Sequence, residues 1–155
     1  MKDRHVGWGH RIGLALLALL AAVAARAQVL DRVEVTPEGA NAVVRIRFNV
    51  QIQYLRHAPQ ARGSTIQTFF QITIPDDSAT TVVEEERRPP PQDLVPRLRV
   101  VYPSQPLSLQ RRIDIVFDSP VEFRLRPEDS RTLVLLIPLT AEQIERLKPL
   151  TPAGV

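Results

Sequence analysis

A row of alternating apolar and polar side chains occurs twice in this chain, and the two copies constrain its fold more than any other feature. In the first copy Val44, Ile46, Phe48, Val50, Ile52 and Tyr54 alternate with Arg45, Arg47, Asn49, Gln51 and Gln53. In the second, displaced by 69 residues (113 − 44), Ile113, Ile115, Phe117, Val121 and Phe123 stand in the places of Val44, Ile46, Phe48, Ile52 and Tyr54. A period of two belongs to β-strands, whose successive side chains point to opposite faces. Each copy therefore predicts a strand with one buried and one wet face. The first runs over residues 43–55. The second runs over 112–125, with a bend or bulge at Ser119-Pro120.

The flanking sequence supplies partners for both. Residues 29–35 alternate through Val29, Val33 and Val35 and end in turn chemistry, Pro37, Glu38 and Gly39. Residues 65–74 are rich in β-branched and aromatic side chains. Around the second copy, 97–102 carries Leu98, Val100 and Tyr102 on one face, a turn follows at 126–130, and 131–137 is a further strand. The chain thus reads as an all-β domain over 28–138, built as a duplicated three-strand meander. Unit one covers 29–74 and unit two 97–138. Residues 75–96, with Glu84 to Glu86, Arg87, Arg88 and three consecutive prolines, read as the linker, in which 80–83 can add a short edge strand. Without crossover helices, two such units make a small β-sandwich or an open, rolled sheet. Over 139–155 only a short helix is expected, with Thr140 and Gln143 forming a capping box, Ile144 and Leu147 an apolar stripe, Pro149 the stop, and a frayed tail beyond.

Residues 1–27 have the order of a secretory signal peptide: basic Lys2, Arg4 and Arg11, an uncharged apolar run over 12–25, and the small-x-small site Ala25-Arg26-Ala27. The rival readings are an uncleaved anchor and a buried helix. A run of that length rises only about 21 Å as α-helix, against roughly 30 Å of hydrocarbon. Cleavage after Ala27 removes Lys2, Arg4, Arg11 and Arg26 from the 20 basic residues and Asp3 from the 17 acidic ones, leaving 16 of each. The basic balance belongs to the leader, so it gives no argument for nucleic acid as a partner. The absence of cysteine excludes a disulfide framework, a lipid-modified cysteine and thiol chemistry.

Catalytic chemistry finds little to work with. Past the leader His57 is the only histidine, and zinc or copper sites need several His or Cys ligands. Serines 64, 78, 104, 108, 119 and 130 offer a triad on inventory alone, without a nucleophile-elbow pattern. The carboxylate pairs Asp76-Asp77 and Glu128-Asp129 fall in turns, where they cap backbone groups. Two features suit binding instead. Arginines are expected on the outward faces of the strands: Arg45 and Arg47 in unit one, Arg97 and Arg99 before unit two, and Arg111, Arg112, Arg124 and Arg126 within it. Guanidinium groups there can fork onto carboxylates of a glycan or a protein, or merely keep a solvated sheet from aggregating. Phe69 and Phe70 are neighbours on a strand and so face opposite ways. Unless the sheet is covered on both sides, for instance by the Pro-rich linker, one of them lies on a surface patch.

The second copy with its continuation, Ile113-x-Ile115-x-Phe117-Asp118-Ser119-Pro120-Val121-x-Phe123, a Pro127-containing turn, then Ser130-Arg131-Thr132-Leu133-Val134, resembles the AMIN domain found near the N-termini of exported cell-wall amidases and pilus secretins. Arg131, Leu133 and Val134 match that family's following strand loosely, its Asp is missing, and Gln51 stands in the first copy where Pro120 stands in the second. The arrangement is also similar to the front part of longer proteobacterial envelope proteins that continue into tetratricopeptide repeats. The resemblance implies a small periplasmic β-domain that places its host at peptidoglycan or an envelope assembly, and it carries over no catalytic residues.

The expectation is a non-enzymatic, exported binding module without cofactor or metal. It has no membrane span after leader cleavage and contacts peptidoglycan or an envelope protein through Arg45, Arg47, Arg124, Arg126, Phe69 and Phe70. The alternative is a structural subunit assembling through edge strands or hydrophobic contacts. A hydrolase using His57 is the minor reading.

Overall fold

The computed structural model describes residues 28–73, 84–105 and 110–149, so the leader (1–27), residues 74–83 of the expected linker region, residues 106–109 and the tail (150–155) lie outside the described residues. Among the described residues, nine strands form two antiparallel sheets. They are β1 (Leu30–Glu38), β2 (Asn41–Phe48), β3 (Ile52–Ala58), β4 (Arg62–Ile72), β5 (Glu85–Arg87), β6 (Leu98–Tyr102), β7 (Gln110–Glu122), β8 (Arg124–Asp129) and β9 (Thr132–Pro138). One sheet has the order β1-β2-β9-β8 and the other β3-β4-β7-β6-β5. A single helix, α1 (Ala141–Leu147), closes the described chain, and Thr140 and Gln143 form both bonds of the capping box. The architecture is a small all-β sandwich, not a rolled sheet.

The apolar rows face inward as their period requires. Val44, Ile46 and Phe48 of one sheet and Ile113, Ile115 and Phe117 of the other are buried in one cluster with Leu133, Leu135, Ile66 and Phe70. Phe48 and Phe70 meet edge to face across the sheets, with ring centroids 5.2 Å apart, and Tyr102 lies 6.5 Å beyond Phe70. Such aromatic contacts join large buried areas to a fixed geometry.

Neither repeated row is one strand, which corrects the expected meanders. The first breaks after Phe48 and passes to the other sheet, resuming at Ile52. Backbone groups of the β8–β9 turn and of the start of β1 hold the bend: Phe48 N–H donates to the Arg131 carbonyl (2.8 Å), Asn49 N–H to Val29 (2.9 Å) and Ile52 N–H to Ser130 (2.8 Å). The second row breaks at Phe123, whose N–H donates to Ala61 (2.9 Å). The irregularity expected at Ser119-Pro120 is present. Pairing with β4 runs to Thr65↔Val116 and resumes at Gly63↔Val121, so Phe117 to Pro120 stand opposite Ser64 alone.

Each unit therefore supplies a hairpin to each sheet. Exchanging β1 with β6, β2 with β7, β3 with β8 and β4 with β9 converts the order β1-β2-β9-β8 into β6-β7-β4-β3, the other sheet without β5. β5, at Glu85–Arg87, comes from the stretch read as linker; residues 80–83, where a short edge strand was expected, lie outside the described residues. The Glu85 carboxylate accepts from Val29 N–H (2.7 Å) and Leu30 N–H (2.9 Å), and the Arg87 side chain donates to the Asp31 carbonyl (3.1 Å). These contacts fasten the β1 edge of one sheet to the β5 edge of the other.

Candidate functional site

The four candidate arginines come together on one surface, the outer face of the four-stranded sheet. Arg45 and Arg126 lie opposite the same β9 residue, Val134, from its two sides. Arg124 lies opposite Leu136, and Arg47 opposite Thr132. β9 thus forms an apolar spine between two rows of guanidinium side chains contributed by different units.

Their charges are not equally available. Arg45 is only 20 % exposed; it donates to Glu38 on β1 and, across β9, to Glu128 on β8 at 3.1 Å. The hydrogen bond with Glu38 comes first, and that with Glu128 second, in holding its guanidinium firmly protonated. Arg47 faces Glu34 at 3.8 Å and borders a shallow groove with Asp31 and Asp129. Arg124 and Arg126 are exposed and make no ion pair among the described residues. Most other arginines do: Arg32 with Glu34 (3.3 Å), Arg97 with Asp118 (3.4 Å), Arg99 with Glu86 (3.3 Å), Arg112 with Asp114 (3.0 Å) and Arg146 with Asp93 (3.3 Å).

Beside Arg124 a groove of about 480 Å³ opens at the end of the sandwich. Its walls include Asn41, Ala61, Leu136 and Pro138, buried Phe123 forms its floor, and an exposed ion pair between Arg62 and Glu122 (3.8 Å) stands at its rim. Sequence reasoning missed Arg62 and Leu136 as lining. Each belongs to a different strand, and only long-range pairing brings them to Arg124.

The remaining candidates fall elsewhere. Phe70 is fully buried in the core, so it packs and presents nothing to a partner. Phe69 lies on the outer face of the other sheet, where Arg56 stacks 3.9 Å above its ring. Arg111, expected outward, is buried: it shares the phase of Ile113 and Ile115 and faces inward. His57 uses both ring nitrogens structurally, with Tyr54 Oη 2.5 Å from Nδ1 and the Gln60 carbonyl 3.1 Å from Nε2. Nε2–H donating and Nδ1 accepting satisfies both contacts and leaves no nitrogen for proton transfer.

Among the described residues no helix is long and apolar enough to cross a membrane. Nor do they contain a group of three or more His, Cys, Asp or Glu side chains placed to hold a metal ion. No protein-family model matches the chain, and no match was found among curated proteins or solved structures.

Proposed function

We propose that this protein is a non-enzymatic, exported binding module, AMIN-like in the sense of the resemblance of its second repeat, which contacts peptidoglycan or an envelope assembly protein. The observation that carries the reading is the convergence of Arg45, Arg47, Arg124 and Arg126 on one sheet face, with Arg124 and Arg126 outside any ion pair among the described residues and Arg124 at the side of a groove of mixed polar and apolar lining. Charges on the edge strand β8 also keep that edge from pairing, and two arginines without an acidic partner, on a face where neighbouring charges are matched, leave donors free for an anionic group. The structural occupation of both His57 nitrogens gives no support to a hydrolase built on that residue.

Assembly through edge strands finds less support. β1, β3 and β8 each carry a register shift, at Leu30/Arg32, Tyr54/Arg56 and Pro127/Asp129, and β5 has three residues. Bulges, prolines and short length are devices that keep edges from pairing with other chains.

The reading is tested by a pull-down of the tagged, exported chain from detergent-solubilised envelope, beside co-sedimentation with purified sacculi. Retention in either, weakened by high salt, supports a contact through the arginine face. An unbound protein in both assays overturns it.

A further inference from the structure

We propose that the face formed by Arg124, Arg126 and Leu136 takes an extended acidic protein segment, with carboxylates at alternate residues and an aliphatic side chain entering the groove. The proposal rests on the reading of the protein as a binding module and names the chemistry of its ligand.

Three observations carry it. Arg124 and Arg126 sit two apart on β8 with inward-facing Leu125 between them, so their side chains leave the same face about 6.7 Å apart at the backbone. Alternate carboxylates of an extended chain repeat at that same interval. Neither guanidinium has an acidic partner among the described residues, although Glu122 and Glu128 flank them closely in sequence. Glu122 is engaged by Arg62 and Glu128 by Arg45, so the site offers a local positive strip with its neighbouring acids already matched. Finally, Arg124 borders a mixed groove in which Phe123, Leu136 and Pro138 supply apolar lining beside Asn41, Arg62 and Glu122. An aliphatic side chain gains there what a sugar phosphate or a hydrated headgroup does not.

A broad polyanionic surface fits less well. Glu122, Glu128 and Asp129 neighbour the two arginines in sequence and Glu34 and Glu38 lie on β1 of the same sheet, so a flat anionic membrane laid on this face would be pressed against these acids too. A short extended segment that spans only Arg124 and Arg126 meets the two guanidinium groups without covering the rest of the face. Arginine rather than lysine suits the role, since its planar fork can accept a carboxylate bidentately.

The test uses the chain expressed with its leader and purified from the envelope fraction, with binding read by fluorescence anisotropy. The probe is an eight-residue peptide alternating Glu with Val and Leu; comparison probes are the same sequence with Lys for Glu, and vesicles containing one third anionic phospholipid. Saturable binding of the Glu peptide is expected, weakened about tenfold by Arg124→Glu with Arg126→Glu and a few-fold by Leu136→Ala. The double charge reversal is expected to gain binding of the Lys peptide. Both arginines are exposed, so circular dichroism and melting of that variant should match the parent. No saturable Glu-peptide binding, binding indifferent to the charge reversal, or binding to the vesicles alone overturns the proposal. If envelope pull-down or sacculus binding persists in any of these cases, the acidic-segment assignment falls while the binding-module reading stands; if both are lost, the wider reading falls with it.

Discussion

Arg45 on β2 and Glu128 on β8 pair at 3.1 Å across the whole width of β9. Beneath this bridge Val134 is buried although it points to the outer face of its sheet. Long arginine stems cover apolar surface while their heads stay in water. The outer face is therefore drier over β9 than a row of arginines suggests.

Acid should weaken the fold through this network. A hydrogen bond from Arg45 holds the Glu38 carboxyl below its ordinary value, one from Arg88 does so for Glu86, and the Arg131 backbone N–H, 2.7 Å away, does so for Asp129. A carboxyl depressed in the folded state adds stability above its unfolded pKa, and that stability is lost as pH falls through the folded one. The melting temperature is expected to hold from neutrality to about pH 5, and to drop as pH passes below the ordinary values of 4.5 for glutamate and 3.8 for aspartate. Glu38→Gln should lower it at pH 7 and flatten the acid limb, read by thermal melts across pH.

Thr68 and Tyr102 are fully buried on the inner face of the five-stranded sheet, and neither hydroxyl has a hydrogen-bond partner among the described residues. Removing a buried hydroxyl that bonds to nothing relieves its desolvation. Thr68→Val and Tyr102→Phe are each expected to be neutral or stabilising, by up to about 1 kcal/mol in urea unfolding. Destabilisation by either would show that its hydroxyl is engaged.

The Glu85 carboxylate holds the first residues of β1 by two backbone N–H groups. Glu85→Ala leaves both donors without that acceptor and is expected to destabilise by about 2 kcal/mol. Hydrogen exchange offers the sharper reading: the amides of Val29 and Leu30 should lose protection ahead of those in β7.

Glycine is needed at position 63 for space. A Cβ built there would lie 2.6 Å from Cγ of the Pro59 ring, which has little freedom to retreat. Gly63→Ala should destabilise by about 1–3 kcal/mol. At Gly39 the need is conformational, since φ is +60° and nothing lies within 4 Å of a Cβ, so Gly39→Ala should cost about 1–2 kcal/mol. Urea unfolding measures both.

The inward residues were legible because their period was unbroken: Val44, Ile46 and Phe48, and likewise Ile113, Ile115 and Phe117, face the core as the alternation requires. The same regularity concealed the sheet switch. Ile52 stays in phase with Phe48 across the bend, and the groups that hold the bend, on Ser130 and Arg131, lie some 80 residues away in sequence. For the same reason the arginines could be named but not assembled, because Arg45 and Arg126 meet only through their shared neighbour Val134. Arg111 was misjudged by its charge: alternation alone places it with Ile113, and its burial follows the strand. Glu85 read as one more solvated acid because its partners are backbone amides, which leave no mark in a sequence.

The exchange of hairpins between the sheets makes the two halves mutually dependent. β2 finds its inner neighbour in β9 and β4 finds its own in β7, so each half completes two ladders that the other begins. A half on its own would expose both of those strands as open edges and leave its apolar rows wet. Cutting the backbone between Thr73 and Glu84 would break no described strand, and the fragments would remain joined by both ladders and the shared core. The sandwich is in this sense an obligate dimer of hairpin pairs carried on one chain.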